Sequence, residues 1–160
     1  MTGSVYLSYD SPVGVLYLVA DEKGMLAIGN TKPEGPEEDH SAILQQCLAA
    51  LKEYFSGNRK SFEDIPVSPA LDGTMFQLKV WNALKSIPYG ETRTYAWIAQ
   101  AVGSPKACRA VGGANHRNPL PIIIPCHRVI GADRSLTGFG LGLDVKEKLL
   151  TIEGVINKLF

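Results

Sequence analysis

Residues 119–129 read Pro119-Leu120-Pro121-Ile122-Ile123-Ile124-Pro125-Cys126-His127-Arg128-Val129, and the rest of the chain must fold around them. Three prolines frame an apolar run that ends on a thiol, an imidazole and a guanidinium. The β-branched Ile122-Ile123-Ile124 favours an extended, buried backbone. Pro125 keeps Ile124 out of the α region and cannot donate to a sheet ladder. The sequence therefore predicts that Cys126 is delivered from a rigid, dry anchor, as a preorganised nucleophile requires. Adjacent cations lower a thiol pKa and raise the thiolate fraction that attacks electrophiles. Successive residues of an extended backbone face opposite ways, so a strand running through His127 keeps its ring off the sulfur. Proton transfer between the two then needs a bridging water or a bend. The competing reading is a buried core thiol, since free Cys is among the most buried residue types.

At 160 residues the chain suits one compact unit or two small ones. Its 45% hydrophobic and 20% charged content is that of an ordinary globular protein. No apolar run reaches membrane-span length, and the N-terminus lacks the basic-then-apolar layout of a secretory signal, which predicts a cytoplasmic protein with no membrane partner. Cys47, Cys108 and Cys126 are too few and too widely spaced for a disulfide framework or a cysteine zinc site. With His40 and His116 they still give no convincing set, so no metal is expected. A nucleophilic thiol also fits a reducing compartment.

Formal net charge is zero, yet the charges are segregated. Residues 1–71 carry 5 Lys/Arg against 10 Asp/Glu, and residues 72–160 carry 11 against 6. Between Thr92 and Arg134 stand Arg93, Lys106, Arg109, Arg117, Arg128 and Arg134 against the single acid Asp133. A basic face on the half that holds Cys126 suits salt-sensitive contact with a phosphate backbone, although a solvated surface would look similar.

The periodicities predict an α+β protein. Strands over 4–9, 15–20 and 25–28, joined by turns at Ser11-Pro12-Val13-Gly14 and Asp21-Glu22-Lys23-Gly24, form a small meander. A polar connector over 31–39 leads to a helix over 41–56, with Ile43, Leu44, Cys47, Leu48, Leu51, Tyr54 and Phe55 on one face and Gly57 placed to end it. Residues 58–72, with Pro66 and Pro69, read as a linker at the charge switch, which divides the chain into domains 1–71 and 72–160. Thr74-Met75-Phe76-Gln77 is a capping box opening a helix to about 86. Thr94 caps a short helix to Val102, Gly103 stops it, and Ser104-Pro105 reads as the start of another. The final helix is expected over 144–153, with Asp144 and Glu147 at N-cap and N3 spacing.

Two short helices about a glycine turn suggest a helix-turn-helix. The second is nearly bare, with Ala107, Ala110, Gly113 and Ala114, although interior Gly costs roughly 1 kcal/mol against Ala. Either another helix packs tightly on it, or its backbone approaches a nucleic-acid groove closely, with little base reading.

The segment from Asn118 to Val129, with Ile87-Pro88-Tyr89-Gly90-Glu91-Thr92, Arg109-Ala110-Val111-Gly112-Gly113-Ala114-Asn115, and Lys146-Glu147-Lys148-Leu149-Leu150 followed by Glu153-Gly154, resembles the alkylguanine-DNA alkyltransferase family. These are also called methylated-DNA–protein-cysteine methyltransferases. The blocks come in the family's order and spacing, densely from about Gly73 to Val155 and more loosely before it. The resemblance implies a small ribonuclease-H-like N-terminal domain of antiparallel sheet and helix, followed by a winged helix-turn-helix-like domain that binds DNA and holds the active site. It implies a monomer that takes alkyl groups from 6-O-alkylguanine, and less readily 4-O-alkylthymine, in double-stranded DNA onto Cys126. The thioether is permanent, so each molecule acts once, and no cofactor is required.

The resemblance also assigns roles. Cys126 is the acceptor, and His127 deprotonates it through a water. Glu153 orients the imidazole, as in a Ser-His-Asp arrangement. Asn118 braces the Cys126 segment, Tyr95 gives a proton or hydrogen bond to the departing base, Arg128 forms a structural ion pair, and Lys146 supports the pocket. The target nucleotide is flipped out, with Arg109 filling its place. Thr94, Ser104, Lys106, Ala107, Ala110, Gly113, Asn115 and Arg117 are the expected DNA contacts, and Pro121, Val129, Phe139, Gly140 and Leu141 line the pocket. One departure stands in Gly138-Phe139-Gly140-Leu141-Gly142: Leu141 replaces the first glycine of the family's usual Gly-Gly-Leu, which bears on pocket size. Two other functions remain open on the residues alone. A redox sensor or thiol hydrolase would use Cys126 reversibly, though no resolving Cys stands near it. A non-catalytic helix-turn-helix binder would not need the thiol.

Overall fold

The structure, a computed structural model, describes residues 3–38, 40–133 and 138–155. The backbone divides into two compact units, Met1–Asp72 and Gly73–Phe160. The first holds β1 (Val5–Ser11), β2 (Gly14–Ala20) and β3 (Met25–Gly29), antiparallel in that order. Pro12-Val13 closes the first hairpin, where Ser11 pairs with Gly14. Alternate residues of a strand share a face, and Leu16, Leu18 and Ala20 of β2 are buried together. Helix α1 (Ala42–Phe55) packs on the sheet, burying Leu44, Cys47, Leu51 and Tyr54. Ser41 opens it, its hydroxyl accepting from the Leu44 N–H at 3.2 Å. Cys47 is core, and burial pushes its thiol up to about 12.

The second unit begins with α2 (Met75–Leu84), opened by the reciprocal Thr74–Gln77 capping box. The short strand β4 (Arg93–Thr94) leads into α3 (Tyr95–Ala101), and a turn leads to α4 (Cys108–His116). β5 (Val129–Ile130) pairs in parallel with β4, and α5 (Leu143–Ile152) closes the described part. Helix α4 packs on α2 and α3, and the Trp81 indole N–H donates to the Ala114 carbonyl at 2.8 Å. The architecture is α+β: a small antiparallel sheet with its helix, then a helix-turn-helix of α3 and α4.

Three local expectations are corrected. Ile122-Ile123-Ile124 is a tight turn, not an extended strand: Ile122 sits at φ 76°, and the Ile124 N–H donates to the Leu120 carbonyl at 2.8 Å. Prolines at 119, 121 and 125 remove the donors a ladder would need, and the buried isoleucines hold the strained turn in place. Ser104-Pro105 forms a turn, and α4 starts later, after Ala107, with no side-chain cap. Helix α5 is capped by Gly142 at φ 104°, not by Asp144, which lies in its first turn beside the positive helix end. Arg134 with the rest of 134–137, and Asp39 in the connector, lie outside the described residues.

Candidate active site

The turn from Leu120 to Pro125 runs into a single 3-10 turn over Cys126–Arg128, all three residues buried. This bend replaces the expected extended run through His127. It presents His127 and Arg128 to the C-terminal end of α5, where Glu153 is buried. The Glu153 carboxylate accepts from Arg128 Nε at 2.8 Å and Arg128 Nη2 at 3.1 Å. It also meets His127 Nε2 at 2.6 Å and accepts from the Gly90 N–H at 3.2 Å. Arg128 Nη1 donates to the Ile87 carbonyl at 2.7 Å, and the guanidinium lies over the Tyr89 ring. Burial alone raises the Glu153 pKa, but the His127 hydrogen bond and the Arg128 ion pair outweigh it and hold the carboxyl at about 2.

An ionised Glu153 fixes the histidine tautomer. Nε2 carries the proton, so Nδ1 is the free base, and Nδ1 is buried without a hydrogen-bond partner in the protein. Burial lowers the His127 pKa more than Glu153 raises it, so the ring is neutral at physiological pH. The thiol differs from the sequence expectation. Burial pushes Cys126 up to about 11, ahead of the lowering effects of the Asn118 hydrogen bond and the Lys146 charge. The neighbouring Arg128 is neutralised by Glu153, so adjacency in sequence does not make Cys126 a resting thiolate. It rests as a thiol with a neutral base beside it.

Asn118 braces the turn: its Nδ2 donates to the Ile124 carbonyl at 2.7 Å and its Oδ1 accepts from the Leu120 N–H at 3.0 Å. Lys146 is fully buried, and its Nζ donates to the Val129 carbonyl at 2.6 Å. Burial, opposed only in part by Cys126, brings its pKa down to about 8. Lys146 and Glu153 lie seven residues apart on one face of α5, with Leu149 and Leu150 between them. Tyr95 opens α3, half-buried, and Thr94 caps that helix, its Oγ1 accepting from the Trp97 N–H at 3.1 Å.

On α4 the exposed side carries Arg109, Ala110 and Gly113, continued by Lys106 before it and Arg117 after it. Ala107 and Ser104 are half-buried at the start of this surface. A Cβ on Gly113 would meet open space, and one on Gly112 only an ordinary contact with Tyr95. Packing within the chain therefore does not require glycine at either position. Asn115, expected at the DNA, is corrected: it is 3% exposed on the inner side of α4, and its Nδ2 donates to the Cys126 carbonyl at 3.3 Å. Of the expected pocket residues, Pro121, Val129 and Phe139 are buried, Leu141 is half-buried and Gly140 is exposed. The supporting contacts of Ile87, Tyr89 and Gly90 were not legible beforehand, because they act through backbone atoms and a ring face. Among the described residues no cluster of His, Cys, Asp or Glu is placed to hold a metal ion.

A buried thiol, a neutral imidazole oriented by a carboxylate, and a basic helix exposed on the same unit define a thiol nucleophile allied to a DNA-binding element. The comparisons name the class. The family model for the 6-O-methylguanine DNA methyltransferase DNA binding domain matches residues 75–155, and that for its ribonuclease-like domain matches residues 4–69. The methylated-DNA–protein-cysteine methyltransferase of Methanosarcina acetivorans is 50% identical over 155 residues, covering 93% of this chain and 97% of that protein. The protein of that name from Haemophilus influenzae is 43% identical over 161 residues, covering 97% and 89%. The crystal structure of Mycobacterium tuberculosis OGT in complex with DNA superposes with a TM-score of 0.85 at 42% identity, covering 93% of this chain and 92% of that one. The chain belongs to the 6-O-methylguanine DNA methyltransferase family.

The buried ion pair sets a pH window. The Glu153 pKa is lowered from 4.5 to about 2, so its contribution to stability is full above 4.5 and is lost as pH falls through 2. Denaturant unfolding from pH 5 to 2 should show wild type losing stability steeply and Glu153→Gln losing less over the same range. At neutral pH Glu153→Gln leaves Arg128 buried without a counter-charge, a loss of about 3–5 kcal/mol. Equal slopes in the two proteins would show that Glu153 is not held ionised by these partners.

Proposed function

We propose that this chain repairs DNA by direct reversal, moving the methyl group of 6-O-methylguanine, and less readily of 4-O-methylthymine, irreversibly onto its own Cys126. The observation that carries the reading is the 2.6 Å contact of His127 with an ionised Glu153, directly beside a buried cysteine. Such a site attacks an electrophile brought into a dry cavity. The exposed basic side of α4 supports double-stranded DNA as the carrier, as does the DNA complex of the Mycobacterium tuberculosis relative. Lys106 and Arg117 contact phosphates, and the bare Ala110–Gly113 stretch permits close approach to a groove. The damaged nucleotide leaves the stack and Arg109 fills the gap.

His127 accepts the Cys126 proton at Nδ1 through a water, and Glu153 stabilises the imidazolium that results. The sulfur lone pair forms the S–CH3 bond as the C–O6 bond breaks, its electron pair passing to the guanine. Tyr95 gives its phenolic proton to the departing base, which leaves neutral, and solvent returns to Tyr95 the proton taken up by His127. Methyl and proton exchange places, so no cofactor is consumed, and the thioether has no route back. Each molecule acts once. It works in the cytoplasm, where reducing conditions keep the thiol available.

Two experiments test this reading. Intact-mass analysis after incubation with duplex carrying 6-O-methylguanine should show one added methyl group, mapped to Cys126. Cys126→Ala should gain none while binding the same duplex with affinity within a few-fold of wild type; loss of binding as well would make the cysteine structural. The second concerns Leu141, half-buried in the loop that the family resemblance sets over the alkyl group. One methylene in an apolar pocket is worth roughly 1–3 kcal/mol of discrimination, so the leucine side chain should disfavour a benzyl group while sparing methyl. Single-turnover rates should show Leu141→Gly restoring 6-O-benzylguanine transfer with little change for methyl. Equal wild-type rates for the two substrates would place the side chain away from the alkyl group.

A further inference from the structure

We propose that Asn115 is a positioning residue for the proton transfer: its Oδ1 and the Nδ1 of His127 together hold the water through which Cys126 loses its proton. The inference rests on the alkyl-transfer reading above and assigns a role to a residue on the inner side of the DNA-facing helix. Among the described residues, Asn115 Oδ1 and His127 Nδ1 are the two buried side-chain atoms without a hydrogen-bond partner in the protein. Both belong to residues bound directly to Cys126. Asn115 is hydrogen-bonded to the Cys126 carbonyl, and His127 is the next residue in the chain.

The assignment of the amide is fixed by that carbonyl. Nδ2 donates to Cys126 O at 3.3 Å, and exchanging N for O would set two acceptors against each other. The end of the amide that remains is therefore an acceptor. His127 Nδ1 is an acceptor too, since Nε2 holds its proton against Glu153. Each buried acceptor left unpaired carries a penalty, and two on residues joined directly to Cys126, one by a hydrogen bond to its carbonyl and one by the chain, share one remedy. Water brings two O–H donors, one for each acceptor, and a lone pair to receive the Cys126 S–H. When the thiol ionises, the proton passes from Sγ to the water oxygen while the water gives its own proton to Nδ1. Asn115 Oδ1 holds the second O–H and keeps the water in line. Without it the water has one anchor and turns freely.

The charged groups facing His127 are Glu153 and Lys146 from the α5 segment and Arg128 from its own turn. All three are unchanged when Asn115 is replaced, so a difference in pH profile between wild type and variant isolates the amide. The experiment is the single-turnover rate of methyl transfer from 6-O-methylguanine duplex between pH 6 and 10. It uses wild type, Asn115→Leu and Asn115→Ala, with duplex affinity of each measured in a Cys126→Ala background. Two replacements guard against one failing to fold. A variant without the relay reacts through its small thiolate fraction, which grows about tenfold per pH unit below the thiol pKa. The expected result is a neutral-pH rate lower by roughly tenfold or more, within the range general-base catalysis supplies, with the deficit narrowing as pH rises and affinity unchanged. A deficit constant across pH, which misplacement of Cys126 alone would give, overturns the proposal, as does a rate equal to wild type. Wild type that fails to methylate Cys126 would instead overturn the alkyl-transfer reading itself.

Discussion

Glu153 is the charge on which the second unit is built. One buried carboxylate receives hydrogen bonds from the Arg128 guanidinium, His127 and the backbone N–H of Gly90. It thereby ties the end of α5 to the 3-10 turn and to the turn after α2. Burying a charge is costly unless its lone pairs are filled, and here they are. The consequence for chemistry is indirect. Arg128 is neutralised where it might have drawn a proton off Cys126, and the thiol stays protonated. His127 is left neutral, with its basic nitrogen facing away from Glu153. Reactivity is thus deferred: a thiol in a dry site does not oxidise or alkylate at random, and it ionises when a base and a substrate act together.

One helix of the same unit has an exposed side and a side that supports Cys126. The outer side of α4 is basic and bare, and a side chain at Gly113 would meet only open space. The inner side holds Asn115 against the Cys126 carbonyl and receives the Trp81 indole at Ala114. A nine-residue helix therefore carries an exposed basic surface and one support of the Cys126 turn on opposite faces. Strain sits at Ile122, where the prolines and buried isoleucines hold a left-handed conformation that a branched side chain rarely adopts.

Much of this was legible in the residues, and the failures have physical causes. Helix α1 and its cap followed from apolar spacing and Ser41, and α2 from its capping box, because local hydrogen bonds decide both. The contact of His127 with Glu153 was expected only through the family resemblance, since 26 residues separate the two in sequence. The course of residues 122–124 was misread because β-branching was weighed above three missing backbone donors. The thiol was misread for a similar reason: adjacency in sequence suggested a cation at the sulfur, while the fold gives that cation to Glu153. Asn115 was assigned outward because a bare helix hides which residues face in, and burial settled its side. Leu149, Leu150 and Glu153 share the face of Lys146 on α5, a signal that could have marked this lysine as buried without any resemblance.

The central claim is that Cys126 rests as a thiol and is ionised only in the reaction. The direct measurement is a pH titration of the Cys126 13Cβ resonance in cysteine-labelled protein without DNA, assigned by its loss in Cys126→Ser. The expected result is the thiol shift throughout neutral pH, with ionisation near 11. A thiolate shift at pH 7 would contradict it, and would mean that the sulfur is stabilised as an anion by charges this account places elsewhere.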